Sequence, residues 1–210
     1  PPLKQKMRFL FLLSFLAFNT VFAQTILLDE DFSSTPQDGL PELWSQYTLS
    51  DDGGWLNGSS NQLQSQWWGI EPHGTFVATN DDACDCNKSE DYLITPPLNF
   101  TGLDNAILSF ASFFSGETFE GSTDMATIEY SLDGGDSWIV LTEIDGNGNS
   151  DNTVWENHSI NLTEILGYSD VLLGFHYDDD GGWMFGWAID DVVIYEPFGL
   201  NAEMTLLTFP

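Results

Sequence analysis

Ala126-Thr127-Ile128-Glu129-Tyr130-Ser131-Leu132-Asp133-Gly134-Gly135-Asp136-Ser137-Trp138 decides the fold. Its first seven residues alternate apolar and polar without a fault, the period-two pattern of a strand that buries one face. The run then closes as Ser-x-Asp-x-Gly-x-Ser-Trp, the pattern of an Asp-box hairpin. In that hairpin the aspartate bonds turn amides and the tryptophan packs beneath. Asp-boxes occur in enzymes and non-enzymes alike, so the motif signals architecture and not catalysis.

Outward from this hairpin the same period recurs. Val171, Leu173, Phe175 and Tyr177 repeat the alternation, and strands are expected at 25–29, 44–49, 75–79, 92–95, 106–113, 138–144, 155–162 and 187–195. Clusters of Gly, Asp, Asn and Pro between them make turns. No stretch carries a helical apolar period, although residues 162–166 have room for one turn. About ten short strands predict an all-β, two-sheet antiparallel sandwich of jelly-roll type.

The first 23 residues read as a leader. Lys4, Lys6 and Arg8 precede an apolar run from Phe9 to Phe22, and Val21-Phe22-Ala23 offers small residues for a signal peptidase, with cleavage before Gln24. The run is short and interrupted for a span of about 30 Å of hydrocarbon. Secretion or surface display follows. Met7 reads as the initiator, residues 24–197 as the sandwich, and residues 198–210 as a linker or the start of a further domain beyond Pro210.

Whole, the chain has four basic and 33 acidic residues and a net charge of −29. Without the leader, Lys88 is the only cation and the net charge is about −32. Nucleic acid is excluded as a partner, because its phosphates would be repelled at every approach; anionic membrane surfaces are disfavoured for the same reason. With 8 Trp, 16 Phe and 42% hydrophobic residues, the chain has material for a real core. Bound divalent cations would relieve the self-repulsion, and adaptation to a salty habitat explains the acidic excess equally. Cys84 and Cys86 are expected to form a short-range disulfide, with thiolate metal ligation the second reading.

The pentapeptide Asp51-Asp52-Gly53-Gly54-Trp55 recurs as Asp179-Asp180-Gly181-Gly182-Trp183. As turn chemistry, each is an Asp-Gly-Gly bend with an aromatic opening the next strand. As a binding feature, the two are acidic loops at one end of the sandwich, each carrying an exposed tryptophan. Trp55, Trp67, Trp68 and Trp183 are then candidates for stacking on sugar rings, against the alternative of core packing.

Several segments also stand in a telling order: Glu30-Asp31-Phe32, Pro41, Trp44, then Asp91-Tyr92-Leu93-Ile94-Thr95-Pro96-Pro97-Leu98, the Asp-box, and Gly186-Trp187-Ala188-Ile189-Asp190-Asp191-Val192. This succession resembles the MAM-like jelly-roll modules known as choice-of-anchor J or cleaved-adhesin domains of secreted Bacteroidetes surface proteins. The resemblance spans residues 26–196. It implies a sandwich attached to a larger multidomain protein, type IX export, and a structural Ca²⁺ near the paired terminal strands.

By that resemblance, Glu30 at the end of the first strand and Asp190 within the last meet at the metal. Asp190 alternates with Val192 and Ile194, a face on which an unpaired carboxylate is costly. Turn amides or solvent are the alternative to a cation there. Asp191, Asp31 and Asp124 are weaker candidate ligands. A second candidate loop runs through Asp145, Asn147, Asn149, Asp151 and Glu156, oxygen donors at positions 1, 3, 5, 7 and 12 of an EF-hand-like template, with Ser150 in place of the turn glycine. The acidic run at 81–86, with Asp91, is a third cluster.

Catalysis finds no support in the motifs. His73, His158 and His176 are scattered, and neither a zinc-hydrolase spacing nor a nucleophile elbow is present. The chain is therefore expected to be a non-enzymatic, Ca²⁺-stabilised module that binds cell-surface glycans or extracellular proteins. The alternatives are a carbohydrate-binding module of a polysaccharide-degrading enzyme and an accessory domain of a secreted peptidase.

Overall fold

The computed structural model of the chain describes residues 24–84, 86–148 and 151–198. The expected leader, Asn149 of the second metal loop, Asp85 of the acidic run, and everything from residue 199 onward lie outside the described residues. Among the described residues no helix is long and apolar enough to cross a membrane.

Strands form at the expected spans, and three further short ones, at 56–58, 118–119 and 122–123, lie outside them. The first sheet contains β1 (Thr25–Glu30), β3 (Leu56–Gly58), β4 (Phe76–Asn80), β6 (Ile107–Phe114), β11 (Glu156–Asn161) and β13 (Gly186–Glu196). The second contains β2 (Ser45–Tyr47), β5 (Asp91–Ile94), β9 (Met125–Ser131), β10 (Ile139–Glu143) and β12 (Leu172–Asp178). A small hairpin, β7 (Thr118–Phe119) with β8 (Ser122–Thr123), stands apart. The first sheet runs β11-β6-β13-β4-β3 with β1 also on β13, and the second runs β10-β9-β12-β5-β2. Every pairing is antiparallel. The architecture is the expected two-sheet sandwich. Two four-residue helices, α1 (Ser60–Leu63) and α2 (Asp81–Cys84), were not foreseen, because one turn is too short to show a period. The turn expected at 162–166 is a 3₁₀ helix at Thr163–Ile165.

Side-chain parity explains two cores. Val77, Phe110, Trp187 and Ile189 of the first sheet meet Leu93, Ile128, Phe175 and Tyr177 of the second inside the sandwich. The intervening residues Phe76, Ala78, Phe113 and Ala188 face the opposite way and are covered by Leu63, Trp68 and Ile70 from the excursion between β3 and β4. The centre of the first sheet is thus buried on both faces. Each fully buried large side chain contributes about 1.5–3 kcal/mol.

A bulge in β13 redirects that parity. Ile189 pairs with Ser112 and Asp190 with Ala111, but the next aligned pair is Val193 with Ser109. Asp191 is the inserted residue, held at φ 52°, a left-handed conformation that Asp tolerates better than most side chains. Before the bulge, odd-numbered Trp187 and Ile189 point into the sandwich; after it, even-numbered Val192 and Ile194 do. Asp190 therefore shares the outer face with Ala188, not the inner face with Val192 and Ile194 as simple alternation predicts. On its other edge β13 changes partner at the same point, pairing with β4 through Ile189↔Val77 and with β1 from Glu30↔Val192.

The single lysine of the described chain organises the loops near the start of β13. Lys88 is fully buried, and its Nζ lies 2.7 Å from both carboxylate oxygens of Asp52 and 3.3 Å from Asp91 Oδ2. Its backbone N–H donates to Asp179 Oδ2 at 2.7 Å. The two Asp-Asp-Gly-Gly-Trp loops are thereby joined through one residue. Burial would raise the Asp52 carboxyl, but the Lys88 ammonium and the Gly54 amide outweigh it and the group is lowered. Gly54 sits at φ 75°, where a Cβ would come 2.8 Å from Gln46 Oε1, so the turn admits only glycine. Cys84 and Cys86 form the expected disulfide, just before this lysine.

The Asp-box closes as its pattern requires. Asp133 accepts from the Ser131 hydroxyl and the Ser137 amide at 2.7 and 2.9 Å, and Trp138 packs over Gly174, where a Cβ would approach it to 2.9 Å. The Lys88 contacts make a direct prediction. Lys88→Met leaves the fully buried Asp91 carboxylate without its cation, and the part-exposed Asp52 with it, and is expected to cost about 3–5 kcal/mol in equilibrium urea unfolding. A loss well under 1 kcal/mol would show that Asp52 and Asp91 do not depend on that ammonium.

Candidate functional site

The β13 bulge is where carboxylates gather. β1 ends at Glu30 opposite Val192, so Glu30 and Asp31 arrive beside Asp190 and Asp191. Glu30 Oε1 accepts the Phe32 amide at 2.8 Å, and Asp190 Oδ1 accepts the Asp191 amide at 2.8 Å. Burial drives the Asp190 carboxyl up to about 7; the Asp191 amide opposes the rise, and the negative charges of Asp191, Asp31 and Glu30 reinforce it. Glu30 is also raised, first by burial, with Asp31 and Asp29 adding repulsion.

His73, which no sequence signal attached to this group, completes it. Its Nε2 lies 3.5 Å from Asp191 Oδ2 and 3.9 Å from Asp190 Oδ2. The ring is stacked on Trp155 with centroids 4.3 Å apart, and the Trp155 indole N–H donates to the Glu71 carbonyl at 2.9 Å. The donor set is rich in hard oxygens, and the buried Asp190 has like charges for neighbours. Ligand atoms of His73, Asp190 and Asp191 lie within 4.8 Å of one another, a set with the chemistry for a metal ion, and Glu30 and Asp31 add negative charge close by.

Asp124 does not belong with them. It precedes β9 of the second sheet, accepts the Tyr177 hydroxyl, and has Asp81 and Asp179 as its charged neighbours. Of the second candidate loop, Asp145, Asn147, Asp151 and Glu156 are among the described residues. Asn147 spends its carboxamide bridging Val154, donating to the Val154 carbonyl at 2.6 Å and accepting its amide. Asp145 and Glu156 lie close enough to His158 to pull against its burial-driven lowering, whereas Asp151 turns to a cleft elsewhere.

The four tryptophan candidates divide evenly. Trp55 and Trp68 are fully buried. Trp55 donates its indole N–H to the Asp91 carbonyl at 3.0 Å in the sandwich core, and Trp68 packs on Phe113 beneath the outer face of the first sheet. Neither can reach a ligand. Trp67 and Trp183 are 67% and 68% exposed and line one cleft of about 480 Å³, with Asp82, Asp151, Phe119 and Met184.

His176 points outward from β12, as its alternation with Phe175 predicts, but it is held rather than free. Its Nδ1 is 3.0 Å from Glu129 Oε1 and its ring stacks on Tyr92 at 3.9 Å. Asp81 and Asp124 generate a pH effect of definite sign. Burial raises each carboxyl to about 7, so the folded state holds protons that an unfolded aspartate releases near 3.8. Their stabilisation is complete below about pH 4 and is lost as pH rises through 7. In chelator, the melting temperature is expected to fall between pH 5 and 8, and Asp124→Asn to flatten that fall; an unchanged slope in the variant contradicts the assignment.

No family model and no curated protein sequence matches the chain. Solved structures do. The K2 cleaved adhesin domain of Lys-gingipain is 19% identical over 82% of this chain and 98% of that one, with a TM-score of 0.56. The K3 cleaved adhesin domain of Lys-gingipain from Porphyromonas gingivalis W83 is 18% identical over 81% and 99%, with a TM-score of 0.58. The CBM22-1–GH10 modules of a Clostridium thermocellum endo-1,4-beta-D-xylanase, complexed with xylohexaose, are 13% identical over 84% of this chain and 29% of that one, with a TM-score of 0.50. The chain thus has the β-sandwich fold of the cleaved adhesin domains.

Proposed function

We propose that the chain is a non-catalytic binding or adhesion module of a larger secreted or cell-surface protein, stabilised by Ca²⁺ at the β13 bulge. The observation that carries the metal reading is the grouping of ligand atoms of His73, Asp190 and Asp191 within 4.8 Å of one another at the β13 bulge, with the charges of Glu30 and Asp31 nearby where β1 and β4 exchange places. Taken alone, these carboxylates repel one another, and a buried Asp190 answers by holding a proton. A calcium ion accepts six to eight oxygens and would neutralise the group outright. With Glu30 of β1 joining Asp190 as a ligand, it would also fasten the first strand to the last.

Likeness in fold to the gingipain adhesin domains supports adhesion as the use. The exposed Trp67 and Trp183 favour a second reading, a module that binds carbohydrate on behalf of a polysaccharide-degrading enzyme. Both readings place the ligand outside the cell, and the charge of the chain turns both away from nucleic acid. An accessory role beside a secreted peptidase is compatible with the same geometry.

Thermal melting tests the metal. EDTA is expected to lower the melting temperature and Ca²⁺ to restore it, by about 2.7 kcal/mol when the ion is at 100 times its Kd. Asp190→Asn should melt alike with and without Ca²⁺. Identical melting of the native chain in EDTA and in Ca²⁺ would remove the site. Separately, incubation with casein, xylan and ester substrates is expected to release no product, and steady turnover of any of them would overturn the non-catalytic reading.

A further inference from the structure

We infer that Trp67 and Trp183 are the walls of a carbohydrate-binding cleft that takes an extended, uncharged glycan chain; this rests on the reading of the domain as a binding module and names its ligand. Single exposed aromatic residues are ordinary on a protein surface. Two indoles, each about two-thirds exposed and facing one cleft of about 480 Å³, are not. That volume lies within the range of about 300–1,000 Å³ for small-molecule sites.

The backbone around both tryptophans is anchored. Trp68 is sealed under the first sheet, which fixes the backbone beside it, and the Trp67 amide donates to Asp82 Oδ2 at 3.2 Å. Met184 is 2% exposed, and its amide donates to Asp81 Oδ2 at 2.7 Å. On the other side of Trp183, the Gly181 and Gly182 amides close the turn on Asp179 at 2.8 and 2.9 Å. A backbone fixed beforehand lowers the entropy lost when a ligand settles between the two side chains.

The duplicated pentapeptide folds in two ways. Trp55 ends the same sequence and is fully buried, but positive φ falls on Gly53 and Gly54 in that copy and on Asp180 and Gly181 in the other. Exposure of Trp183 is a property of this copy alone.

The polar lining then selects the ligand. Asp82 and Asp151 lie in the cleft, and Lys88, the only Lys or Arg among the described residues, is fully buried elsewhere. Carboxylates accept hydrogen bonds from hydroxyl groups and repel anions. Sulfated, phosphorylated and uronic acid chains are thereby excluded. A neutral sugar ring presents an apolar CH face to an indole and hydroxyls at its rim, which matches this lining. Trp183 also borders a smaller hollow of about 190 Å³ with Asp81, Asn87 and Asp179, so the indole is a partition with space on either side. A chain of several rings could use both spaces, whereas a monosaccharide would use one.

The test uses the full chain loaded with Ca²⁺, titrated by calorimetry and by tryptophan fluorescence. Probes are xylohexaose, cellohexaose, oligogalacturonate and a set of uncharged peptides. At least one neutral hexasaccharide is expected to bind and oligogalacturonate not to bind. Trp67→Ala and Trp183→Ala should each weaken binding roughly tenfold or more with unchanged melting temperature, and Tyr168→Ala should leave it intact. Retention of full affinity in both tryptophan variants overturns the cleft, and binding of peptides but of neither neutral sugar overturns the glycan. Chromatography of the recovered sugar separates the two levels of the reading. Intact sugar with variant-sensitive binding supports both, whereas cleaved sugar overturns the non-catalytic module and leaves the position of the cleft to the variants.

Discussion

One buried ammonium keeps the loop end of this sandwich together. Lys88 has no exposed surface, yet it neutralises Asp52, approaches Asp91 and lends its backbone amide to Asp179. In a chain with 33 acidic residues this is a scarce resource, spent where three segments distant in sequence must meet. Desolvating a charge costs several kcal/mol, and only close, hydrogen-bonded partners offset it. The cluster is therefore a device for register: it permits one arrangement of the two Asp-Asp-Gly-Gly-Trp loops and strands any other with an unpaired ion.

The opposite problem is solved differently at the β13 bulge. Lys88, the only Lys or Arg among the described residues, is engaged with Asp52 and Asp91, and at the bulge Asp190 and Asp191 meet His73 while Asp31 and Glu30 add negative charge nearby. One inserted residue, Asp191 at φ 52°, produces this gathering by moving Asp190 to the outer face and by opening room for β1 to replace β4. The two acidic centres thus differ in kind. One carries its own counter-ion in the covalent chain, and the other has the chemistry to borrow one from solution.

Much of the fold was legible because period-two alternation survives in the strands that matter. The stretch around Ile128, the strand of Phe175 and the strand of Trp187 all fall where apolar residues recur at every second position. Legibility ended where parity breaks. Asp190 reads as inward by simple alternation with Val192, and only the bulge turns it outward. Trp55 and Trp183 end identical pentapeptides, so nothing local could tell the buried one from the exposed one. The contacts of Lys88 with Asp52 and Asp179 and the approach of His73 to Asp190 span tens of residues, for which a single sequence holds no signal.

The length of β13 sets the direction in which the domain looks. Its first residue, Gly186, adjoins Phe185 on the wall of the tryptophan cleft, and its last, Glu196, lies beside Thr25 at the start of β1. Eleven residues in antiparallel extension cover about 35 Å. The polypeptide thus enters and leaves the sandwich side by side at one pole, with the aromatic mouth at the other. A ligand seated between the two indoles would thus meet the domain at the pole opposite its paired first and last strand ends.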